Sequence, residues 1–138
     1  MMDCVMDSST ALAWALPDET SEEAERVLSR MGPRDTIWVP ALWWYEIANG
    51  LLVAQRRERL TEAARIRLTD LYQKLPVRTD VVFDGDMVRR LHALAIEHHL
   101  SAYDAAYLEL AQRRDLGIVT MDRQLRSAAQ EAGVRILR

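Results

Sequence analysis

Short apolar runs with β-branched residues alternate with helix-length segments along the whole chain, and this alternation constrains the fold more than any other feature. Met2-Asp3-Cys4-Val5-Met6-Asp7, Thr36-Ile37-Trp38-Val39, Pro76 to Val82, Gly117-Ile118-Val119-Thr120 and Val134-Arg135-Ile136-Leu137 each read as a strand. Between them the spacing predicts helices. Ala11 to Leu16 follows capping residues in Ser8-Ser9-Thr10 and stops at Pro17. Ser21 to Met31, Ala41 to about Arg57, Thr61 to Leu75 and Asp84 to His98 come next. A further helix opens at Ser101 and ends at Asp115-Leu116-Gly117, and the last runs from Arg123 to Ala132 with Gly133 as its C-terminal cap. Strands joined through helices need crossovers. The expectation is therefore an α/β three-layer sandwich: a mainly parallel, five-stranded sheet with helices on both faces. Pro76 puts the third strand at an edge, where a missing amide is tolerated. No repeat, low-complexity tract or linker interrupts the pattern, so residues 1–138 read as a single domain.

At 138 residues the chain can build one sizeable core, and 49% hydrophobic with 28% charged residues is ordinary for a globular protein. No apolar run approaches the roughly 20 residues of a membrane span, and no basic stretch followed by a long apolar run marks a signal peptide. The single cysteine, Cys4, cannot form an internal disulfide. A cytoplasmic location is expected. A net charge of −3 gives no general attraction for nucleic acid. Lys74 is nevertheless the only lysine, and arginines cluster at Arg56-Arg57-Glu58-Arg59, Arg89-Arg90 and Arg113-Arg114. Arginine grips phosphate bidentately, so local patches can hold RNA. Most of these arginines read simply as solvated helix ends.

In parallel sheets, ligands bind beyond the carboxyl ends of the strands, where the strand order reverses. Asp7 and Asp122 fall at such ends. Glu46 lies a little beyond the second strand, in a helix that is apolar nearly all round through Trp43, Trp44, Ile47, Leu51, Leu52 and Val53. It shares a stripe with Leu42, Asn49, Gly50 and Val53, so Asn49, one turn on, is placed to orient it or share a ligand. In the Ser101 helix, Tyr103, Ala106, Tyr107, Leu108, Leu110 and Ala111 share a broad face that also takes in Asp104, while Glu109, Gln112 and Arg113 take the other side. Each acid has a simpler explanation. Asp7 and Asp122 suit helix caps, Asp104 suits a first helical turn, and Glu46 suits an arginine partner. Caps do not explain all of them together. Carboxylates gathered in one crevice repel, and a hard divalent cation relieves that repulsion: Mg²⁺, with Mn²⁺ able to substitute. No Cys/His spacing suggests zinc, and His92, His98 and His99 read as structural residues.

Strand-Asp7-Ser8-Ser9, helix-borne Glu46 with Asn49, Tyr103-Asp104-Ala105-Ala106-Tyr107, and Thr120-Met121-Asp122 followed by Leu125 and Ala128-Ala129 together resemble the PIN-domain ribonucleases. The length and single-domain build resemble the VapC-type toxins of bacterial toxin–antitoxin pairs. The resemblance implies Mg²⁺-dependent RNA cleavage that leaves a 3′ hydroxyl and a 5′ phosphate, and a cognate antitoxin protein that blocks the site. Asp7, Asp104 and Asp122 would hold the metal directly or through water, with Glu46 as a ligand or water-positioning base. Ser9 and Thr120 would support the carboxylates by hydrogen bonds. Some relatives carry a further acid about one turn beyond the position of Asp122. Here Gln124, Leu125 and Arg126 occupy that neighbourhood, which weakens the provision for a second ion. The Trp-rich helix around Glu46 needs burial on more than one side, which predicts a homodimer.

Two other folds with acids at strand ends fit poorly. A receiver domain needs a lysine after a late strand, and none follows Lys74; an aspartate-nucleophile phosphatase needs an acid where Ser9 stands. The alternative that keeps the fold is a catalytically inactive PIN-like interaction module, to which Trp38, Trp43 and Trp44 would contribute core or interface contacts.

Overall fold

The computed structural model describes residues 2–19, 21–82 and 84–138. Four strands, β1 (Asp3–Met6), β2 (Thr36–Pro40), β3 (Val77–Asp80) and β4 (Gly117–Val119), pair in the order β3-β2-β1-β4, every pair parallel. Helices make each crossover. Helices α1 (Ser8–Ala15) and α2 (Glu22–Ser29) join β1 to β2, and α3 (Leu42–Arg56) and α4 (Glu62–Lys74) join β2 to β3. Helices α5 (Gly85–His98) and α6 (Ala102–Arg114) carry the chain back past β1 to β4, and α7 (Arg123–Glu131) follows. The winding thus goes outward through β2 and β3, then reverses to the other side of β1. The reversal opens the crevice at the carboxyl ends of β1 and β4.

Cys4, Val5, Met6, Ile37, Val39, Ile118 and Val119 are fully buried, as continuous apolar strands in a covered parallel sheet require. On the helices, Trp43 packs edge-on against Tyr72 at 6.0 Å, and Tyr72 donates to the Ala11 carbonyl at 2.8 Å, fastening α4 to α1. Ser21, Thr61, Asp84 and Ser101 each cap a helix by accepting an amide three residues on. Gly133, at φ +77°, takes the left-handed conformation after α7 that favours glycine. β3 lies at the sheet edge, as Pro76 predicts. Among the described residues no helix is long and apolar enough to cross a membrane.

Three expectations are corrected. The sheet has four strands, not five. Val134–Leu137 meets β4 only at an isolated bridge, Ile136 to Ile118, built on two hydrogen bonds of 2.9 Å. β4 is three residues long and leaves no room for a longer ladder. Leu137 also caps Gly117 so closely that a Cβ there would sit 2.8 Å from its Cγ. Second, the first long helix begins at Ser8, and its cap is Asp7 rather than any of Ser8, Ser9 or Thr10. Third, Glu109 is not on an open face. It is 4% exposed and holds Arg113 at 2.7 Å and Arg90 at 3.2 Å. Arg113 and Arg114 are not solvated helix ends either, since both clamp the buried Asp80, at 2.6 and 3.0 Å. A helical wheel scores Glu109 as polar and outward; the guanidinium groups of Arg113, one turn on in α6, and of Arg90 from α5 make its burial tolerable.

Candidate active site

Asp7 is the best-anchored acid of the crevice. Its position follows from local chemistry: β1 ends at Met6, the backbone turns, and an aspartate there caps α1. The carboxylate is 4% exposed, and four donors compensate its burial: the Ser9 hydroxyl at 2.7 Å, the Thr10 hydroxyl at 2.8 Å, the Thr10 amide at 3.2 Å and the Thr120 hydroxyl at 2.6 Å. Two threonines then tie the β1–α1 corner to the β4–α7 corner. Thr10 accepts from the Met121 amide at 3.1 Å, and Thr120 accepts from the Asp122 amide at 3.0 Å. Asp122 caps α7 through the Leu125 amide at 2.9 Å. The simpler reading of Asp7 and Asp122 as caps is therefore correct as far as it goes, and it also fixes where both carboxylates stand.

Asp104 lies in the first turn of α6, half-buried, with its amide donating to Ser101. Burial pushes its carboxyl above the ordinary aspartate range, and the charges of Asp122, Asp7 and Glu46 push it further the same way. Four acids from the α1, α3, α6 and α7 regions thus share one electrostatic neighbourhood. This is the site's central feature.

Glu46 reaches the crevice from α3, and its partner is Tyr107, whose hydroxyl donates to Oε1 at 2.5 Å. Tyr107 is almost wholly buried, and burial, followed by the hydrogen bond to Glu46 and its charge, raises the phenol far above its usual range, so it stays a proton donor. Asn49, expected to orient Glu46, is exposed, and among the described residues no hydrogen bond joins the two. No arginine among the described residues pairs with Glu46. The sequence does place Tyr107 three residues beyond Asp104 on one face, but the helical wheel counts it as apolar. The overlooked signal is its phenol, which needs a partner when buried.

Arg126 stands one turn past Asp122, where some relatives carry an acid. Its guanidinium donates to the Thr120 carbonyl at 2.7 Å and pairs with Glu23 of α2 at 3.0 Å. The cation therefore braces the outer end of β4 and adds no ligand to the crevice. An apolar cleft lies alongside α6, lined by Pro40, Leu42, Val82, Met87, Leu91 and Leu110, with Asp80, Glu109 and Arg113 in its wall.

The donor set suits a hard cation in its chemistry. All four groups are carboxylates, and Asp104 carries the mark of uncompensated like charge. Among the described residues, no three His, Cys, Asp or Glu side chains are gathered tightly enough to ligate one ion as they stand. Asp7, with both oxygens taken by protein donors, shows where carboxylates turn when hydroxyls are near.

Comparison with known proteins gives a consistent result. The PIN domain profile matches residues 4–131. Ribonuclease VapC3 of Pyrobaculum aerophilum is 33% identical over 124 residues, covering 90% of this chain and 92% of the relative. Ribonuclease VapC9 of Mycobacterium tuberculosis is 33% identical over 127 residues, covering 91% of each. Among solved structures, a toxin–antitoxin complex from Klebsiella pneumoniae superposes with a TM-score of 0.58 at 18% identity, covering 86% of each chain.

Proposed function

We infer, since the chain belongs to the PIN-domain family, that it is a metal-dependent endoribonuclease acting as the toxin of a toxin–antitoxin pair in the cytoplasm. The relatives named above are ribonucleases of the VapC type, which supports the activity; what supports the site is that Asp104 is half-buried among the charges of Asp122, Asp7 and Glu46, which act together against its ionisation. A solved structure of the same fold is a toxin–antitoxin complex, which supports an antitoxin protein as partner.

Asp7, Asp104 and Asp122 would hold Mg²⁺, with Mn²⁺ as a substitute, directly or through water. A hard divalent ion bound there would draw a phosphate oxygen and lower the pKa of an attacking water. The chain's own residues do the rest. Ser9, Thr10 and Thr120 keep the Asp7 carboxylate fixed. Glu46 either accepts the water's proton or completes the ligand set. As the water oxygen bonds to phosphorus, the bond to the 3′ oxygen breaks; that oxygen takes a proton and leaves as a 3′ hydroxyl, and the downstream fragment keeps a 5′ phosphate.

Purified protein incubated with total RNA and Mg²⁺ should yield fragments with 5′-phosphate ends that a 5′-phosphate-dependent exonuclease degrades. Fragments ending in 2′,3′-cyclic phosphate would show attack by the ribose hydroxyl and overturn the mechanism. A homodimer belongs to the same reading. α3 buries Trp43, Ile47, Leu51 and Ala54 yet turns Tyr45, 75% exposed, and Leu52 outward. Light scattering should give about twice 15.9 kDa, and a monomer at micromolar concentration would contradict it.

A further inference from the structure

Glu46 is the acid of the crevice that caps no helix and begins no turn, and one group holds it. Tyr107 aims its hydroxyl at Oε1 from α6, at 2.5 Å, and among the described residues no side chain engages the other carboxylate oxygen. The phenol is rigid on the scale of this contact. Its ring is 1% exposed within the core cluster, on the helix that also carries Asp104 one turn earlier. The Ser8 hydroxyl, next to Asp7, hydrogen-bonds the same phenol oxygen. Three elements that carry acids of the crevice therefore meet at a single phenol oxygen, and a buried phenol facing a carboxylate can only donate to it.

We propose that Tyr107 is a positioning residue for Glu46: it fixes one carboxylate oxygen and thereby the direction in which the other is offered to the metal-bound or attacking water. The proposal rests on the endoribonuclease reading of the crevice and deepens it. A glutamate on a helix has three rotatable bonds and, without a partner, spreads over several rotamers. A single donor from an immobile ring removes that freedom before substrate arrives. Groups that orient ligands and bases in this way typically carry a 10- to 100-fold share of activity or metal affinity.

Wild type, Tyr107→Phe, Glu46→Ala and the double variant form a cycle that tests this. The phenylalanine keeps the buried ring. Tyr107→Phe should lower kcat roughly 10- to 100-fold with KM for a short RNA changed by less than about 2-fold, and should weaken Mn²⁺ binding, read by electron paramagnetic resonance of the free ion. In the Glu46→Ala background the same substitution should change neither quantity, because there is nothing left to position. An active wild type with an indifferent Tyr107→Phe, or a loss that multiplies undiminished on top of Glu46→Ala, would overturn the proposal. A purely structural tyrosine gives the second result. A wild type that neither cleaves RNA nor binds Mn²⁺ fails the reading of the site itself, a different outcome. Ultraviolet resonance Raman spectra of wild type and Glu46→Ala read the bond without touching Tyr107. A loss of one strong tyrosine donor band on removing Glu46 is expected, and unchanged spectra would overturn the proposal even if Tyr107→Phe failed to fold.

Discussion

Asp104→Asn should abolish RNA cleavage, by roughly a thousandfold or about 4 kcal/mol of barrier, while leaving the metal-free protein as stable as wild type or more so. The two halves of this expectation come from one cause. Asp104 is half-buried, and Asp122, Asp7 and Glu46 all act against its ionisation. Replacing its carboxylate by a neutral amide of the same shape removes that repulsion, and a gain of about 1 kcal/mol is reasonable at the effective dielectric of a partly open crevice. For a chain of this length, that corresponds to roughly 2–6 °C in Tm. Mg²⁺ should raise the Tm of the wild type by mass action and that of the variant less. If Asp104 served only the first turn of α6, the opposite sign would follow. Losing its charge would cost up to about 1 kcal/mol of dipole and capping energy, and Mg²⁺ would shift neither protein. Thermal melts of both proteins in EDTA and in Mg²⁺ separate the cases.

Asp80→Ala should be the most destabilising single change outside the apolar core. Asp80, at the end of the edge strand β3, is 5% exposed and receives hydrogen bonds from Arg113 at 2.6 and 3.1 Å and from Arg114 at 3.0 and 3.2 Å. Removing it leaves Arg113 with Glu109 alone and Arg114 with no carboxylate partner among the described residues, and Arg114 also stacks on Trp38 at 3.5 Å, so it is not free to swing away. Breaking a buried pair typically costs 3–5 kcal/mol. Both arginines are partly open to water, which places the expectation near the lower end, about 3 kcal/mol or roughly 10 °C in Tm. The pH dependence has a definite sign. Burial alone would raise the Asp80 carboxyl, but the hydrogen bonds and charges of Arg113 and Arg114 outweigh it and hold the group below its ordinary value. A carboxylate with a lowered folded pKa adds stability that is complete above its unfolded value, about 3.9, and fades as the pH falls toward the folded one. The gap in Tm between wild type and variant should therefore be full at pH 6–7 and shrink below about pH 4. A gap unchanged from pH 7 to pH 3 would show that Asp80 acts through packing and not through its charge.

The elements of this fold are legible in the sequence because local rules and tertiary demands agree there. Cys4-Val5-Met6 and Ile118-Val119 read as buried strands and are buried strands; Ser101 and Thr61 read as caps and are caps. Sequence reasoning goes astray where one long-range contact overrides a local pattern. Val134–Leu137 alternates like a strand, but β4 is too short to pair with it beyond one bridge. Glu109 looks solvent-facing on a helical wheel because the wheel knows nothing of Arg90, which arrives from α5. In the crevice, the four acids could be singled out as carboxylates in odd places. Ser9 and Thr120 are expected as their support, and both do hold Asp7; the partner of Glu46 could not be read, because Tyr107 lies 61 residues away. Which hydroxyl meets which carboxylate is decided by the topology, and periodicity carries no information about it.

RNA cleavage by the wild-type protein, followed in Mg²⁺, then in excess EDTA, then after Mg²⁺ is restored, tests the central claim most directly. The convergence of Asp7, Glu46, Asp104 and Asp122 predicts cleavage in Mg²⁺, loss in EDTA and recovery on adding the metal back. Cleavage that continues at full rate in EDTA would contradict it.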